Sequence, residues 1–429
     1  FGSSFKFFNQ PRVTWTAMGG QTSAAEQPRE NEANADEQPY NEATSSTSPA
    51  PKCDVKELCS AILTDDFWEC FGSRPLYRAG VANGYGSMIS VDNLFDALVR
   101  GSDTDATSAY KHGEPCMREN IFVAYLDQCT LSLSEAEHFF PWLYDLCQTF
   151  RPSLDFVTCR LLLDPPNMRP PPLQTESHLI VVQLWGNTKL QVGVNGSKEV
   201  HAMTPGDLLY APRGMACEVR AGEGSKPSLY LLLSISTADQ TLGQSLGRYF
   251  LDALREELPP ELDAFMRSAV TRHTATDSAT SSGVGPVDAE SLNAELSRHA
   301  SEMASRISLD GLQKHYEARM QKAANDQAAG AARFSGPKAP QLPANKLRTD
   351  TIVRLAPAVA CRCQPGSNHA HFQRGSATLT MQICTTASYL INHIADGRAK
   401  GISSLPCDDP VERLCVCQVL LFKECLEVV

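Results

Sequence analysis

The sequence predicts an α+β chain: helices leading into a β-sandwich or jelly roll, then a helical part, then a small unit of winged-helix type. Three observations predict it. Short apolar runs recur at Leu161 to Leu163, Leu179 to Leu184, Lys189 to Val194, Asp207 to Tyr210 and Ser228 to Ile235, with turn signals between them, as in sandwiches and jelly rolls. From Leu242 to Asp326 apolar residues recur at three-to-four spacing, the period of an amphipathic helix. Beyond Lys346 the pattern reads as two strands, a hairpin and then helices, one ending near Gly397 and one over Pro410 to Leu420.

In chain order, residues 1–52 form a disordered or extended arm. Residues 21–52 hold almost no large apolar side chain and are rich in Glu, Asn, Ser and Pro, so nothing offsets the entropy of ordering them. Phe1 to Gly20 carries Lys6, Arg12, several aromatics and no acid, which resembles the end of a mitochondrial presequence region and points to a mitochondrial location. Residues 53–240 open helically and then turn to strands, with Asp164-Pro165-Pro166-Asn167, Gly186-Asn187, Asn195-Gly196, Pro205-Gly206 and Pro212-Arg213-Gly214 as the turns. Residues 241–330 hold helices over Leu242 to Leu258, Pro260 to Val270, Ala289 to Ile307 and Ser308 to Asp326. Breaks rich in small residues, Gly or Pro fall at Thr271 to Gly285 and Ala328 to Pro343. The last unit is 346–429.

Composition excludes several classes. At 42% hydrophobic and 20% charged over 429 residues the chain is globular, with material for at least one substantial core. No apolar run approaches the ~20 residues of a membrane-spanning helix. A net charge of −11 argues against binding nucleic acid through bulk charge. The last unit does not rescue that reading, since its 9 Lys plus Arg against 7 Asp plus Glu leave only +2. Fifteen cysteines are scattered over the whole length rather than packed into a short scaffold, and read as reduced and buried.

Three stretches carry a family resemblance: Asp66-Phe67-Trp68-Glu69 followed by Arg74-Pro75-Leu76; Val181-Val182-Gln183-Leu184-Trp185-Gly186; and Met203-Thr204-Pro205-Gly206-Asp207-Leu208-Leu209-Tyr210-Ala211-Pro212-Arg213-Gly214. In this order they resemble the ribosomal-oxygenase branch of the JmjC (jumonji, cupin-fold) family, which includes histidyl hydroxylases. Ser245-Leu246-Gly247 and the elements after it are similar to that family's later domains. The resemblance implies a double-stranded β-helix barrel over 53–240, a helical dimerisation-type domain over 241–330 and a winged-helix-like domain over 346–429. Homodimer contacts would fall on Leu246, Tyr249, Phe250 and Leu254.

Family chemistry needs two imidazoles and a carboxylate on one face around Fe(II), with open positions for 2-oxoglutarate and oxygen. A His-x-Asp pair does this because residues two apart on a strand share a face. Here the corresponding positions are Leu173 and Thr175, and the distal imidazole falls at Cys217. The co-substrate Lys falls at Thr188, with Lys189 directed to the other face, and an Asn of an earlier strand falls at Arg160, expected to fill the vacated pocket beside a buried carboxylate. All five positions diverge, so the sequence predicts a degenerate site that takes no metal or co-substrate. Glu176-x-His178 has the opposite parity and should face away from the interior, and His201 should lie solvated in a turn.

Cys361-x-Cys363 and His369-x-His371 flank a turn and offer four zinc-type donors, but the spacing favours packed cysteines beside an exposed loop; Cys415-x-Cys417 reads as core. The functional expectation is therefore a catalytically inactive JmjC-fold protein, a structural or assembly component of a large mitochondrial complex, ribosomal if the family link holds. Its protein partners would be met through the basic, aromatic Phe5, Phe7, Phe8 and Trp15. The competing class is an active Fe(II)/2-oxoglutarate protein hydroxylase, which requires three metal-capable side chains converging inside the barrel.

Overall fold

A computed structural model describes residues 54–117, 120–235 apart from a few loop positions, 308–335 and 346–429 apart from one position, with short pieces at 16–17, 246–249, 297–298 and 301. A two-residue strand, β1 (Thr16–Ala17), comes first. Helices α1 (Val55–Ile62), α2 (Asp65–Cys70), α3 (Val91–Ser102), α4 (Ile121–Leu126) and α5 (Pro141–Leu154) follow, interleaved with β2 (Leu76–Arg78), β3 (Thr107–Lys111), β4 (Glu114–Pro115) and β5 (Thr130–Ser134). Asp54, Ser90 and Asn120 each accept a backbone N–H of the first turn they precede, at 2.8, 3.1 and 2.7 Å, satisfying donors that have no partner inside a helix. Pro141 opens α5, where its missing N–H costs nothing.

Seven strands follow: β6 (Val157–Asp164), β7 (His178–Trp185), β8 (Thr188–Val194), β9 (Ser197–Met203), β10 (Leu208–Ala211), β11 (Ala216–Ala221) and β12 (Ser228–Ile235). One wall is the run β10-β7-β12-β6 within an eight-stranded sheet ordered β2-β10-β7-β12-β6-β5-β3-β4; the facing wall is the sheet β11-β8-β9. A single antiparallel bridge, Leu173 to Cys217, adds a vestigial fourth member beside β11. Every pairing among these strands is antiparallel, with β12 matched along its whole length to β6, giving the jelly roll the sequence predicts. The β7–β8 turn requires Gly186: at φ +61° a Cβ there would stand 2.2 Å from the Pro227 carbonyl oxygen.

The walls are apolar on both faces. Inward, Leu162, Val181, Leu190, Val192, Met203, Leu209, Cys217, Val219 and Leu232 form one buried cluster; outward, Leu161, Leu163, Ile180, Val182 and Tyr210 join the larger core under the helices. Strands β9 and β11 were not predicted. β9, Ser-Lys-Glu-Val-His-Ala-Met, is the edge of the three-stranded sheet and leaves even Val200 at 55% exposed, so it lacks the apolar run that marked the others.

The second part corrects an expected break. Helix α6 (Leu309–Ser335) runs on through Ala328 to Ser335, where a linker was predicted. Its alanines are strong helix formers, and buried contacts anchor its end: Phe334 lies 4.2 Å from Phe139, and Gly330 passes so close to His138 that a Cβ would meet the imidazole at 2.3 Å. Phe334→Ala is expected to remove about 3 kcal/mol of this attachment, read as faster hydrogen exchange along α6 while the β7 and β12 amides keep their protection; equal loss in both would refute a separable contact. The helices predicted over 242–258, 260–270 and 289–307 lie outside the described residues except for helical pieces at 246–249, 297–298 and 301. Within the chain Tyr249 meets His315 of α6 at 5.4 Å; Phe250 and Leu254 lie outside the described residues.

The last unit comprises β13 (Ile352–Leu355), β14 (Val359–Arg362), β15 (His369–Arg374), β16 (Ala377–Gln382), α7 (Thr385–Ile394), β17 (Lys400–Gly401), α8 (Pro410–Phe422) and β18 (Leu426–Val428). They form the sheets β1-β16-β15-β14 and β17-β13-β18. The buried Leu414, Cys415, Cys417 and Leu420 of α8 belong to the same apolar core as Phe95, Phe122 and Leu143 of the first part. No described helix is long and apolar enough to cross a membrane.

Candidate functional site

The barrel interior is where the sequence places its chemistry. Leu173 and Cys217 are brought together as the bridge pair, with Leu173 N–H donating to the Cys217 carbonyl at 2.9 Å. Both are buried, at 8% and 1% exposed, among the inward apolar side chains. Burial, then the neighbouring Glu218, pushes the Cys217 thiol up to about 12, so it is protonated near neutral pH. Thr175 lies outside the described residues. A hydrocarbon and a protonated thiol do not fit Fe(II), which wants imidazole and carboxylate.

At one end of the interior a polar network is closed on itself. Thr188 Oγ1 donates to Gln183 Oε1 at 2.7 Å, and Gln183 Nε2 donates to Ser228 Oγ at 2.7 Å and to the Trp185 carbonyl at 2.6 Å. Both Thr188 and Gln183 are buried. Thr188 faces inward with Leu190 and Val192, while Lys189 is only partly buried on the other face, as strand alternation requires.

Arg160 overturns its expected role. It has the parity of Leu162 but is exposed midway along β6, opposite Ser134 where β5 ends, so it does not fill an interior pocket; an exposed guanidinium stays hydrated, whereas burying it would cost that hydration. His201 also differs: it lies in β9, half-buried, stacked on Tyr77 at 5.0 Å. His178 faces away from the interior, as its parity predicts. It stacks on Phe71 at 4.5 Å, and its Nδ1 lies 2.7 Å from Tyr210 Oη, which accepts from Gly72 N–H at 2.8 Å. Burial, then Arg213, lowers the His178 pKa, so the ring is neutral at pH 7 and its contacts are those of packing.

The interior also holds residues that sequence reasoning missed. Asp164, buried at 2% exposed, accepts from Thr130 Oγ1 at 2.7 Å, and its pKa is raised to about 7 by burial against the lowering contributions of Thr130 and Tyr230. Its Oδ2, the Tyr230 hydroxyl and Ser132 Oγ are buried without a hydrogen bond of good geometry. Tyr230 also feels Cys217, which places this group beside the bridge pair. The signal was available: an acid closes the apolar run Leu161 to Leu163, and Thr130 and Ser132 alternate with Leu131 and Leu133. Asp164 was instead assigned to the turn that follows it.

The Cys/His hairpin forms as expected, with Cys361 opposite Phe372 and Arg362 opposite His371. His369 and His371 are exposed, bonding Asn368 and Thr380, while Cys361 and Cys363 pack toward the core. The two pairs thus lie on opposite faces and make no common donor set. Phe5, Phe7, Phe8 and Trp15 lie outside the described residues.

Two facing antiparallel sheets of this strand order define a cupin-type barrel with helical additions. No protein-family model and no curated protein sequence matches the chain. Among solved structures it is similar to YcfD, a ribosomal oxygenase from Escherichia coli in complex with cobalt and succinic acid, at 14% identity, with 85% of this chain and 97% of that chain covered and a TM-score of 0.41. The same oxygenase with cobalt and 2-oxoglutarate matches at 14% identity over the same shares with a TM-score of 0.35. The cupin domain of Drosophila melanogaster CENP-C matches at 13% identity, over 17% of this chain and 57% of that one, with a TM-score of 0.16. These neighbours correct one expectation. The sequence reading held that no cofactor is taken, whereas structures similar to this one hold cobalt with succinic acid or 2-oxoglutarate, and the expectation is withdrawn.

Proposed function

We propose that this chain is a structural or assembly component of a large protein complex, built on a JmjC-type barrel that does not run oxygenase chemistry at the family's triad positions. The observation that supports this most is the pairing of Leu173 with a protonated Cys217 inside an apolar barrel. Leu173, Thr175 and Cys217 are degenerate triad positions in this reading, and Thr188 and Arg160 degenerate co-substrate positions. The closed network of Thr188, Gln183 and Ser228 supports it too, because these buried polar groups satisfy one another. Contact surface is available outside the barrel: an open groove of about 810 Å³, lined by Trp185, Lys226, Asp408 and Arg413 among others, runs between the barrel edge and the last unit. A winged-helix-like last unit, a mitochondrial location and a ribosomal setting belong to the same proposal, resting on the sequence resemblance and the basic, aromatic N-terminal stretch.

The test is succinate release from 2-oxoglutarate by the purified chain under air, with Fe(II), ascorbate and ribosomal-protein peptides supplied. No release above a protein-free blank is expected. Turnover that Cys217→Ala abolishes would overturn the proposal and establish the hydroxylase.

A further inference from the structure

On the outer side of the barrel wall, three side chains that the barrel chemistry does not use come together. One oxygen of Glu137 and the sulfurs of Cys147 and Cys159 all lie within 4.8 Å of one another, and the two sulfurs are 3.3 Å apart. They arrive from separate elements: the 3-10 turn Ala136–His138, helix α5 and strand β6. None is more than 2% exposed. The carboxylate is held in place, with Oε2 accepting from Cys159 N–H at 2.8 Å and Oε1 from Gln327 Nε2 at 3.1 Å. Gln327 is fixed in turn, donating to the Val157 carbonyl at 3.2 Å and accepting from Arg151 at 3.0 Å. Donors behind a ligand that set its orientation are a feature of metal sites.

We propose that Glu137, Cys147 and Cys159 form a structural site for a thiophilic divalent cation, Zn(II) by preference, that pins the 3-10 turn, α5 and β6 together. Tetrahedral zinc with sulfur at ~2.3 Å holds two thiolates about 3.8 Å apart, so the sulfurs need move only a few tenths of an ångström. Among the described residues no salt bridge reaches Glu137, and burial raises both its carboxyl and the Cys159 thiol. Metal binding by the two thiols releases their protons to solvent.

The experiment uses the full chain purified under reducing conditions with Zn(II) supplied and loosely bound metal dialysed away. Elemental analysis is expected to find one zinc per chain, and Co(II) in its place is expected to give a thiolate-to-cobalt charge-transfer band, which requires no variant to fold. Cys147→Ser with Cys159→Ser should lose both, Glu137→Gln should weaken retention and alter the cobalt spectrum, and Cys129→Ser and Cys217→Ala should change neither. No retained metal, metal unaffected by the double variant, or a Cys147–Cys159 disulfide in the non-reduced protein would each overturn the proposal.

Discussion

Replacing Asp164 by Asn is expected to abolish a decline in stability that the native chain shows between about pH 4 and 7. Its folded pKa is raised from 3.8 to about 7. Below pH 4 the carboxyl is protonated whether the chain is folded or not, and the group costs nothing. Above that the unfolded chain ionises first, so the folded state binds more protons and loses stability as pH rises, until the folded carboxyl ionises near 7 and the loss levels off. A shift of about three units corresponds to roughly 4 kcal/mol. The group is fully buried, so solvent screening does not reduce the figure. Asn keeps an acceptor for Thr130 and offers an N–H to the otherwise unpaired Tyr230 oxygen. Urea midpoints of both proteins across this range provide the measurement, and parallel curves would show that Asp164 is not the source.

Asp409→Ala is expected to cost about 2 to 4 kcal/mol, because one side chain makes two unrelated bonds. Its Oδ1 accepts from Val411 N–H at 2.8 Å as the N-cap of α8, and its Oδ2 accepts from the Tyr125 hydroxyl at 2.7 Å. Loss of a cap costs about 1 kcal/mol; stranding a fully buried hydroxyl costs about 1 to 3 more. Asp409→Asn should recover most of it, since an amide oxygen can still cap the helix. Guanidinium unfolding of the two variants measures the difference, and an alanine variant within 1 kcal/mol of native would show that water takes over both roles.

What could be read from the sequence depended on whether a residue's environment is local. Strands β6, β7, β8, β10 and β12 were visible because each is apolar and bounded by Gly, Pro or Asn, which act on the backbone where they stand. β9 was hidden because an edge strand carries no apolar run, and the end of α6 because a stretch of Ala and Gly reads as a linker until Phe139 and His138 are known to cover it. The parity argument placed Thr188, Lys189 and His178 on their observed faces, since alternation is local geometry. It failed for Arg160 because exposure in mid-strand depends on how far the neighbouring elements reach, and β5 ends opposite it at Ser134. The group of Glu137, Cys147 and Cys159 was illegible for the same reason: its members come from separate elements, and each alone is an ordinary residue.

The Tyr125–Asp409 bond joins positions 284 residues apart, and around it Phe122 meets Phe422 at 6.1 Å in a core that runs from Leu58 to Leu426. During synthesis this arrangement imposes an order of events. Helix α4 emerges first, and the surface that α8 covers stays bare until the 284 residues separating Tyr125 from Asp409 have been made. Contacts so distant in sequence also slow folding once the chain is complete. Every newly made copy therefore passes through an interval with its barrel strands translated and the Phe122 face uncovered, which is when a chaperone has something to hold.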